Sequence, residues 1–205
     1  MLIFGAGVMV MRSWRQGLMA SVVAGVATGG IAAGPAAAER GDLVQLGVQL
    51  VNLNSRKCLT VTAAGLDDNA IVIQKDCTRE AAARWRFVRA PATGLFLIEN
   101  VNSGKCLGIV GGSLEDNGFA VQMACDGDPS RQWQVRRQGG TLLPVPAGPA
   151  LLENAHSHRC LTIAGGSNAE NGVAVQYACD TEASRRWELR LVAGPAPAER
   201  YRPSA

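Results

Sequence analysis

Six cysteines recur at fixed intervals, and they are the side chains best suited to covalent chemistry. The two cysteines of each pair are 19 residues apart, and a tryptophan follows the second cysteine by 8 residues. Thiols in this pattern could form disulfides or bind a metal, but there is no Cys-x-x-Cys pair and no Cys/His cluster at zinc spacing, which disfavours a metal site. The three sets are Cys58, Cys77 and Trp85; Cys106, Cys125 and Trp133; and Cys160, Cys179 and Trp187.

The spacing between successive sets identifies an internal repeat. Corresponding cysteines and tryptophans are 48 residues apart between the first two sets and 54 between the last two, which indicates a triplicated unit. Six cysteines allow fifteen pairings, and equal intervals in equal repeats favour the pairing inside each unit. Each bond would close a loop of about twenty residues, contributing roughly 3 kcal/mol in the chain-entropy model.

The three units share a strand-rich pattern. Each has a Cys-Leu-x-[Val/Ile] strand, a polar turn containing Asn-Gly or Asn-Ala, an alternating strand, and a last strand that begins at the tryptophan. In the second unit Phe119, Val121 and Met123 share one face of the alternating strand, and Ala120, Gln122 and Ala124 share the other. With the apolar stretch before the first cysteine, the pattern predicts four short strands in each unit, twelve in all, and no amphipathic helix.

A mostly β unit of about fifty residues cannot bury its own apolar face, whereas three units around a pseudo-threefold axis can. The sequence therefore predicts an all-β domain over residues 46–192, with repeats at about 46–90, 94–138 and 148–192. The extra residues before the third repeat fall in a Gly/Pro-rich stretch, 139–149, which predicts a surface loop. Positions that are apolar in every copy are expected in the core, namely Leu59, Leu107 and Leu161 with the three tryptophans.

The N-terminal segment has the pattern of a secretory signal peptide over residues 1–38. Arg12 and Arg15 precede an apolar run, and Ala36 to Ala38 offer a small-residue cleavage site; Met11 is an alternative start. A membrane anchor is the other interpretation, disfavoured by a short run rich in Gly and Ala. Residues 39–45 would then form a short leading segment, and residues 193–205, rich in Pro and Ala, a disordered tail. A secreted, extracellular protein without a membrane span follows from this interpretation.

Composition and residue inventory exclude several functions. A net charge of +3 over 205 residues, with 5% aromatic residues, gives no basis for nucleic-acid binding. The first two repeats contain no histidine, and there is no Gly-x-Ser-x-Gly motif. The paired carboxylates, at Asp67 and Asp68 and at Glu115 and Asp116, lie in predicted turns where acidic residues are common. We expect a protein that is not an enzyme and that needs neither a cofactor nor a metal.

The repeat motifs resemble those of the ricin B-chain-type lectins, a β-trefoil family. The resemblance rests on the tripled Cys-Leu-x-[Val/Ile], on Val-Gln-x-Ala-Cys at 121–125 and 175–179, and on the tryptophan eight residues after the second cysteine. It covers about residues 46–192. It implies a β-trefoil of three four-stranded repeats with one disulfide in each, shallow sugar sites numbering at most one per repeat, and no catalysis.

The sugar-binding residues of that family are only partly present. In the family a sugar is held by an Asp two residues after the first cysteine, an aromatic residue two before the second, and a polar, amide-rich pair before the tryptophan. All three Asp and the Gln-x-Trp motif are missing. The Asp positions hold Thr60, Gly108 and Thr162; the aromatic positions hold Lys75, Met123 and Tyr177; and the pairs are Ala82-Ala83, Ser130-Arg131 and Ser184-Arg185.

The third repeat retains the most site residues. Tyr177 is the candidate stacking platform, with Thr162, Asn171 and Arg185 as polar neighbours. Tyr177 could instead be a half-buried strand residue. However, the matching position of the first repeat is Lys75, and a depth that accepts lysine favours an exposed ring.

Two functions follow from these residues. The first is a monomeric secreted module that binds carbohydrate weakly, mainly at the third repeat. The second is a sugar-blind trefoil that acts as a protein-interaction or inhibitor scaffold. A narrower hypothesis is that Arg131 and Arg185 bind the carboxylates of an acidic glycan.

Overall fold

The computed structural model describes residues 47–92, 94–137 and 148–192, which form twelve β-strands joined by turns. The predicted signal peptide, segment 39–45, the tail 193–205 and most of the predicted loop lie outside the described residues; Pro149 begins a strand. The strands are β1 (Val48–Asn52), β2 (Cys58–Val61), β3 (Val72–Lys75), β4 (Trp85–Arg89), β5 (Phe96–Asn100), β6 (Cys106–Ile109), β7 (Ala120–Met123), β8 (Gln132–Arg137), β9 (Pro149–Asn154), β10 (Cys160–Ile163), β11 (Ala174–Tyr177) and β12 (Arg186–Leu191).

Six of the strands close into a barrel. Antiparallel pairs run from β1 to β12, β9, β8, β5, β4 and back to β1, so this part of the sheet has no free edge. The other six strands form one hairpin in each repeat, β2–β3, β6–β7 and β10–β11. The hairpins meet through isolated antiparallel bridges, Ile71 to Val121, Phe119 to Val175 and Ile73 to Val173. The prediction of a β-trefoil with three four-stranded repeats is confirmed.

The core is built from the positions that are apolar in every repeat. The three leucines and three tryptophans predicted to be buried have no exposed surface. Each indole N–H donates a hydrogen bond to the carbonyl of the leucine in its own repeat, at 2.8–2.9 Å. The tryptophan therefore fills the interior and also satisfies a buried backbone acceptor, which fixes the hairpin against the barrel.

The disulfides join the predicted partners. Cys58 pairs with Cys77, Cys106 with Cys125 and Cys160 with Cys179, with Cα atoms 4.9–5.0 Å apart. In each repeat the first cysteine opens a hairpin strand and the second follows the partner strand. The bond therefore closes the open end of the hairpin.

A buried glutamine fastens each repeat to the one before it in the ring. Gln122 Nε2 donates hydrogen bonds to the carbonyls of Gly65 and Asp67 at 2.9 Å, and its Oε1 accepts one from Ser103 Oγ at 2.7 Å. Gln74 and Gln176 make the equivalent bonds. Because each amide binds the turn of a neighbouring repeat, a single repeat cannot satisfy its own buried polar groups.

Ion pairs reinforce the same boundaries. Lys105 Nζ lies 2.7 Å from Asp68, and Lys57 Nζ lies 2.5 Å from Glu170, so each pair joins two repeats. Lys57 Nζ also lies 2.6 Å from Asp76 of its own repeat. These hydrogen bonds lower the pKa of Asp68 and of Asp76 below the usual carboxyl range. Hydrogen bonds to Asp76 and Glu170 raise the pKa of Lys57.

Acid is expected to weaken the protein through these carboxylates. A carboxyl group whose pKa is lower in the folded state stabilises the fold above its unfolded pKa, about 4, and loses that contribution as pH falls through the folded pKa. The urea concentration at the unfolding midpoint should therefore decrease as the pH is lowered from 6 to 3. A variant with Asp68→Asn and Asp76→Asn should have a lower urea midpoint at pH 6, and its midpoint should decrease less between pH 6 and pH 3. An equal loss in the variant and the native protein would contradict this role of the pairs.

Candidate functional site

A groove of about 450 Å³ lies on the third repeat. It is open along one side, and both polar and apolar side chains line it. Three of the four predicted site residues, Tyr177, Thr162 and Arg185, lie here together. They are joined by Asp180, Glu182 and Ser184 of the same repeat and by Asn117 of the second repeat.

Tyr177 presents its ring at the surface of this groove. It is the last residue of β11, and its side chain is 36% exposed, whereas Ala174 and Gln176 of the same strand are fully buried. Lys75, at the matching position of the first repeat, is also exposed. The exposed ring expected from the repeat comparison is therefore what the structure shows.

Arg185 fixes the ring from a short 3₁₀ turn, Ala183–Arg185. Its guanidinium carbon lies 4.9 Å from the centroid of the Tyr177 ring, within range of a cation–π contact. Arg185 Nη1 donates to Glu182 Oε2 at 2.6 Å and lies 3.1 Å from Asp180 Oδ2. Arg185 is only 8% exposed, so these carboxylates hold a nearly buried cation beside the ring. Two carboxylates and one guanidinium give the groove a net negative charge.

The pairing of the two arginines bears on the hypothesis of an acidic glycan. Arg185 is bound by Asp180 and Glu182, and Arg131 is paired with Asp126 in the second repeat. Each guanidinium already has a carboxylate partner in its own repeat. The structure therefore gives this hypothesis no support.

Thr162 forms the floor of the groove. It is 4% exposed, and its Oγ1 donates a hydrogen bond to the carbonyl of Ser184 at 3.0 Å. The hydroxyl proton is thus used within the protein. The residue holds the turn that carries Arg185, and the family's Asp has no acidic replacement at this position.

Asn171, the fourth predicted site residue, is not among the residues that line the groove, because its turn contacts the first repeat. It adopts a φ of 61°, and its N–H donates to the carbonyl of Gln74 in the first repeat at 2.9 Å. The corresponding asparagine of the second repeat, Asn117, donates to the carbonyl of Gln176 at 2.8 Å and lines the third-repeat groove. Each turn crosses to the next repeat, so the asparagine that lines the groove with Tyr177 is Asn117.

The matching positions of the other repeats lack an aromatic ring. In the first repeat a cavity of about 150 Å³ is lined by Lys75 and Glu170. In the second, Met123 is half-buried, and the Arg131 stem covers Gly108 so closely that an added Cβ would lie 2.9 Å from its Cγ. Only the third repeat combines an aromatic side chain with polar groups at this position.

The tripled fold matches a known family. The model of the ricin-type β-trefoil lectin domain matches residues 47–187. The chain belongs to the ricin-type β-trefoil lectins. The family is one of carbohydrate-binding domains, and the resemblance of the sequence motifs to it is confirmed. A comparison with curated proteins gave no significant match.

Solved structures with the same architecture include a designed protein, a bacterial enzyme and an animal lectin. The designed threefold-symmetric protein ThreeFoil is 25% identical, with a TM-score of 0.66 over 71% of this chain and 99% of its own. The exo-β-1,3-galactanase 1,3Gal43A of Clostridium thermocellum is also 25% identical, with a TM-score of 0.66 over 72% of this chain but only 30% of its own. The C-terminal half of an earthworm R-type lectin, in complex with GalNAc, is 9% identical, with a TM-score of 0.54 over 72% and 99%.

No helix in residues 47–92, 94–137 and 148–192 is long and apolar enough to cross a membrane.

Proposed function

We propose that this ricin-type trefoil is a secreted carbohydrate-binding module whose ligand occupies the third-repeat groove. The observation that supports this most directly is the partly exposed ring of Tyr177, held by Arg185 at the edge of a groove lined with polar groups. An aromatic ring beside fixed polar groups is the arrangement that binds the apolar C–H face and the hydroxyls of a sugar.

The side chains of the groove have distinct roles in this proposal. Arg185 occupies one side of the Tyr177 ring, so the sugar lies against the part of the ring left exposed. Asp180 and Glu182 each keep acceptor lone pairs beyond their bonds to Arg185, and these can accept hydrogen bonds from sugar hydroxyls. The amide of Asn117 adds a donor and an acceptor. The open shape favours weak binding, and the net negative charge favours neutral or amino sugars over acidic ones.

Removing the Tyr177 ring is expected to weaken sugar binding by about tenfold, since a lost stacking contact of about 1.4 kcal/mol has this effect. Isothermal titration of Tyr177→Ala with a panel of galactose, N-acetylgalactosamine, glucose, xylose, N-acetylglucosamine and glucuronic acid measures it. Met123→Ala, the same position of the second repeat, is the matched control and should bind like the native protein.

Two results would overturn this proposal. One is a failure of the native protein to bind any neutral or amino sugar in monomeric or oligomeric form, which would favour the sugar-blind interaction scaffold. The other is equal binding by Tyr177→Ala and the native protein, which would place the site elsewhere on the trefoil.

The domain organisation belongs to the same proposal. A signal peptide over residues 1–38, cleaved on export, would release a monomeric domain over residues 46–192, preceded by residues 39–45 and followed by a disordered tail at 193–205. Three disulfides in the described residues are in keeping with an oxidising compartment. The galactanase is matched over less than a third of its length, so its activity is not carried over, and we propose no catalytic function.

A further inference from the structure

Phe119 is an exposed aromatic residue that borders the third-repeat groove from the second repeat. Its side chain is 50% exposed, although it directly precedes the fully buried Ala120 of β7. Phe119 forms an antiparallel bridge with Val175, and Val175 lines the groove. Asn117, two residues earlier on the same segment, lines it too. Phe119 therefore lies at the rim of the groove.

The bridge fixes the relation between the two rings. Because Phe119 is opposite Val175, Tyr177 two residues further along β11 is its diagonal neighbour, at a Cα distance of about 7–8 Å. Directly opposite residues, and residues two apart on one strand, project to the same face. Val175 lies between them on this face and is buried, but both rings are themselves exposed, Phe119 at 50% and Tyr177 at 36%, at a separation suited to consecutive residues of an oligosaccharide.

The repeat comparison shows that this pairing of rings is confined to one groove. Each hairpin receives a residue from the neighbouring repeat at the position of Phe119. Next to Met123 of the second repeat this residue is Ile71, which bridges to Val121 and is 41% exposed. Next to Lys75 of the first repeat it is Val173, which bridges to Ile73. Of the three equivalent hairpins, only that of the third repeat has an aromatic residue at both positions.

We propose that Phe119 forms a second stacking platform, so that the groove binds a neutral oligosaccharide of at least two residues more tightly than a single sugar. This inference rests on the proposed function. One residue of the glycan contacts Tyr177 and the polar groups around Arg185. The next residue stacks on Phe119, where the exposed ring covers the apolar face of a pyranose.

The test compares monomers with trimers of the same sugar. Galactose and β-1,3-galactotriose, with the matching pairs of glucose, xylose, mannose and N-acetylglucosamine, are titrated into the native protein, Phe119→Ala and Ile71→Ala. In the series that binds, we expect the native protein to prefer the trimer by about tenfold. Phe119→Ala should lose this preference and keep the affinity for the monomer. Ile71→Ala, the matched control, should behave like the native protein. Phe119→Tyr keeps an aromatic ring and should retain the preference for the trimer.

The outcomes separate this inference from the proposed function. Sugar binding that depends on Tyr177 but is unchanged in Phe119→Ala overturns the inference alone, and leaves Phe119 as a surface for a protein partner. Equal loss of monomer and trimer affinity in Phe119→Ala also overturns it, because the ring would then act on the first subsite. No binding in any series by the native protein overturns both. Circular dichroism confirms that each variant is folded.

Discussion

Replacing Trp133 with alanine is expected to destabilise the protein by about 3–5 kcal/mol. Trp133 has no exposed surface, and its indole N–H donates to the carbonyl of Leu107 at 2.8 Å. The substitution removes a large apolar side chain and also leaves a buried acceptor without its partner. The free energy of unfolding of a small domain is about 5–15 kcal/mol, so this single substitution would remove a large part of it.

Urea unfolding followed by circular dichroism measures this effect. Trp133→Phe, which keeps an aromatic ring but loses the N–H, should lie between the native protein and Trp133→Ala. The corresponding changes at Trp85 and Trp187 should have similar effects, because all three indoles make the same bond in the same surroundings. A loss below about 1 kcal/mol for Trp133→Ala would contradict the role assigned to the ring.

Removing one disulfide is expected to cost about 3 kcal/mol, as estimated for a closed loop of about twenty residues. The double variant Cys106→Ala and Cys125→Ala keeps the β6–β7 hairpin ladder but frees its open end. The other two disulfides close loops of the same length, with a sequence separation of 19. Their removal should therefore destabilise the protein by a similar amount.

Urea midpoints of the three double variants, each measured alone, check this expectation. The native protein treated with a reducing agent should show a larger loss than any one of them. If the hairpins were rigid in the unfolded chain, or the bonds strained the native state, removal of a pair would cost little. A loss well below 1 kcal/mol in all three variants would contradict the estimate.

The architecture could be predicted because its signals are local and occur three times. The cysteine pairs, the buried leucines and tryptophans and the four strands per repeat are confirmed. The alternation around Phe119 was also visible in the sequence, but the pattern does not say which face meets the core. Gln122 is polar but fully buried, because its amide donates hydrogen bonds to Gly65 and Asp67 of another repeat. A contact between repeats cannot be read from the alternation within one strand.

The candidate site could be predicted only in part, because its residues come from two repeats. Tyr177 and Arg185 were identified from their own repeat, and the structure brings them together. The repeat comparison predicts Asn171 at the site, but its turn crosses to the first repeat, and Asn117 lines the groove instead. Phe119, which we propose as a second platform, also lies in the second repeat, so a comparison within the third repeat does not identify it. The shared spacing of the three Asn turns carries no information about which neighbour each turn contacts.

The most direct measurement of the central claim is a ¹H–¹⁵N NMR titration of the labelled domain with the tightest-binding glycan of the panel. We expect the largest shifts at the amides of Tyr177, Arg185, Asp180 and Asn117, and smaller ones at the equivalent positions of the first two repeats. Shifts of equal size in all three repeats, shifts confined to another surface, or none at saturating sugar would contradict a carbohydrate site at the third repeat.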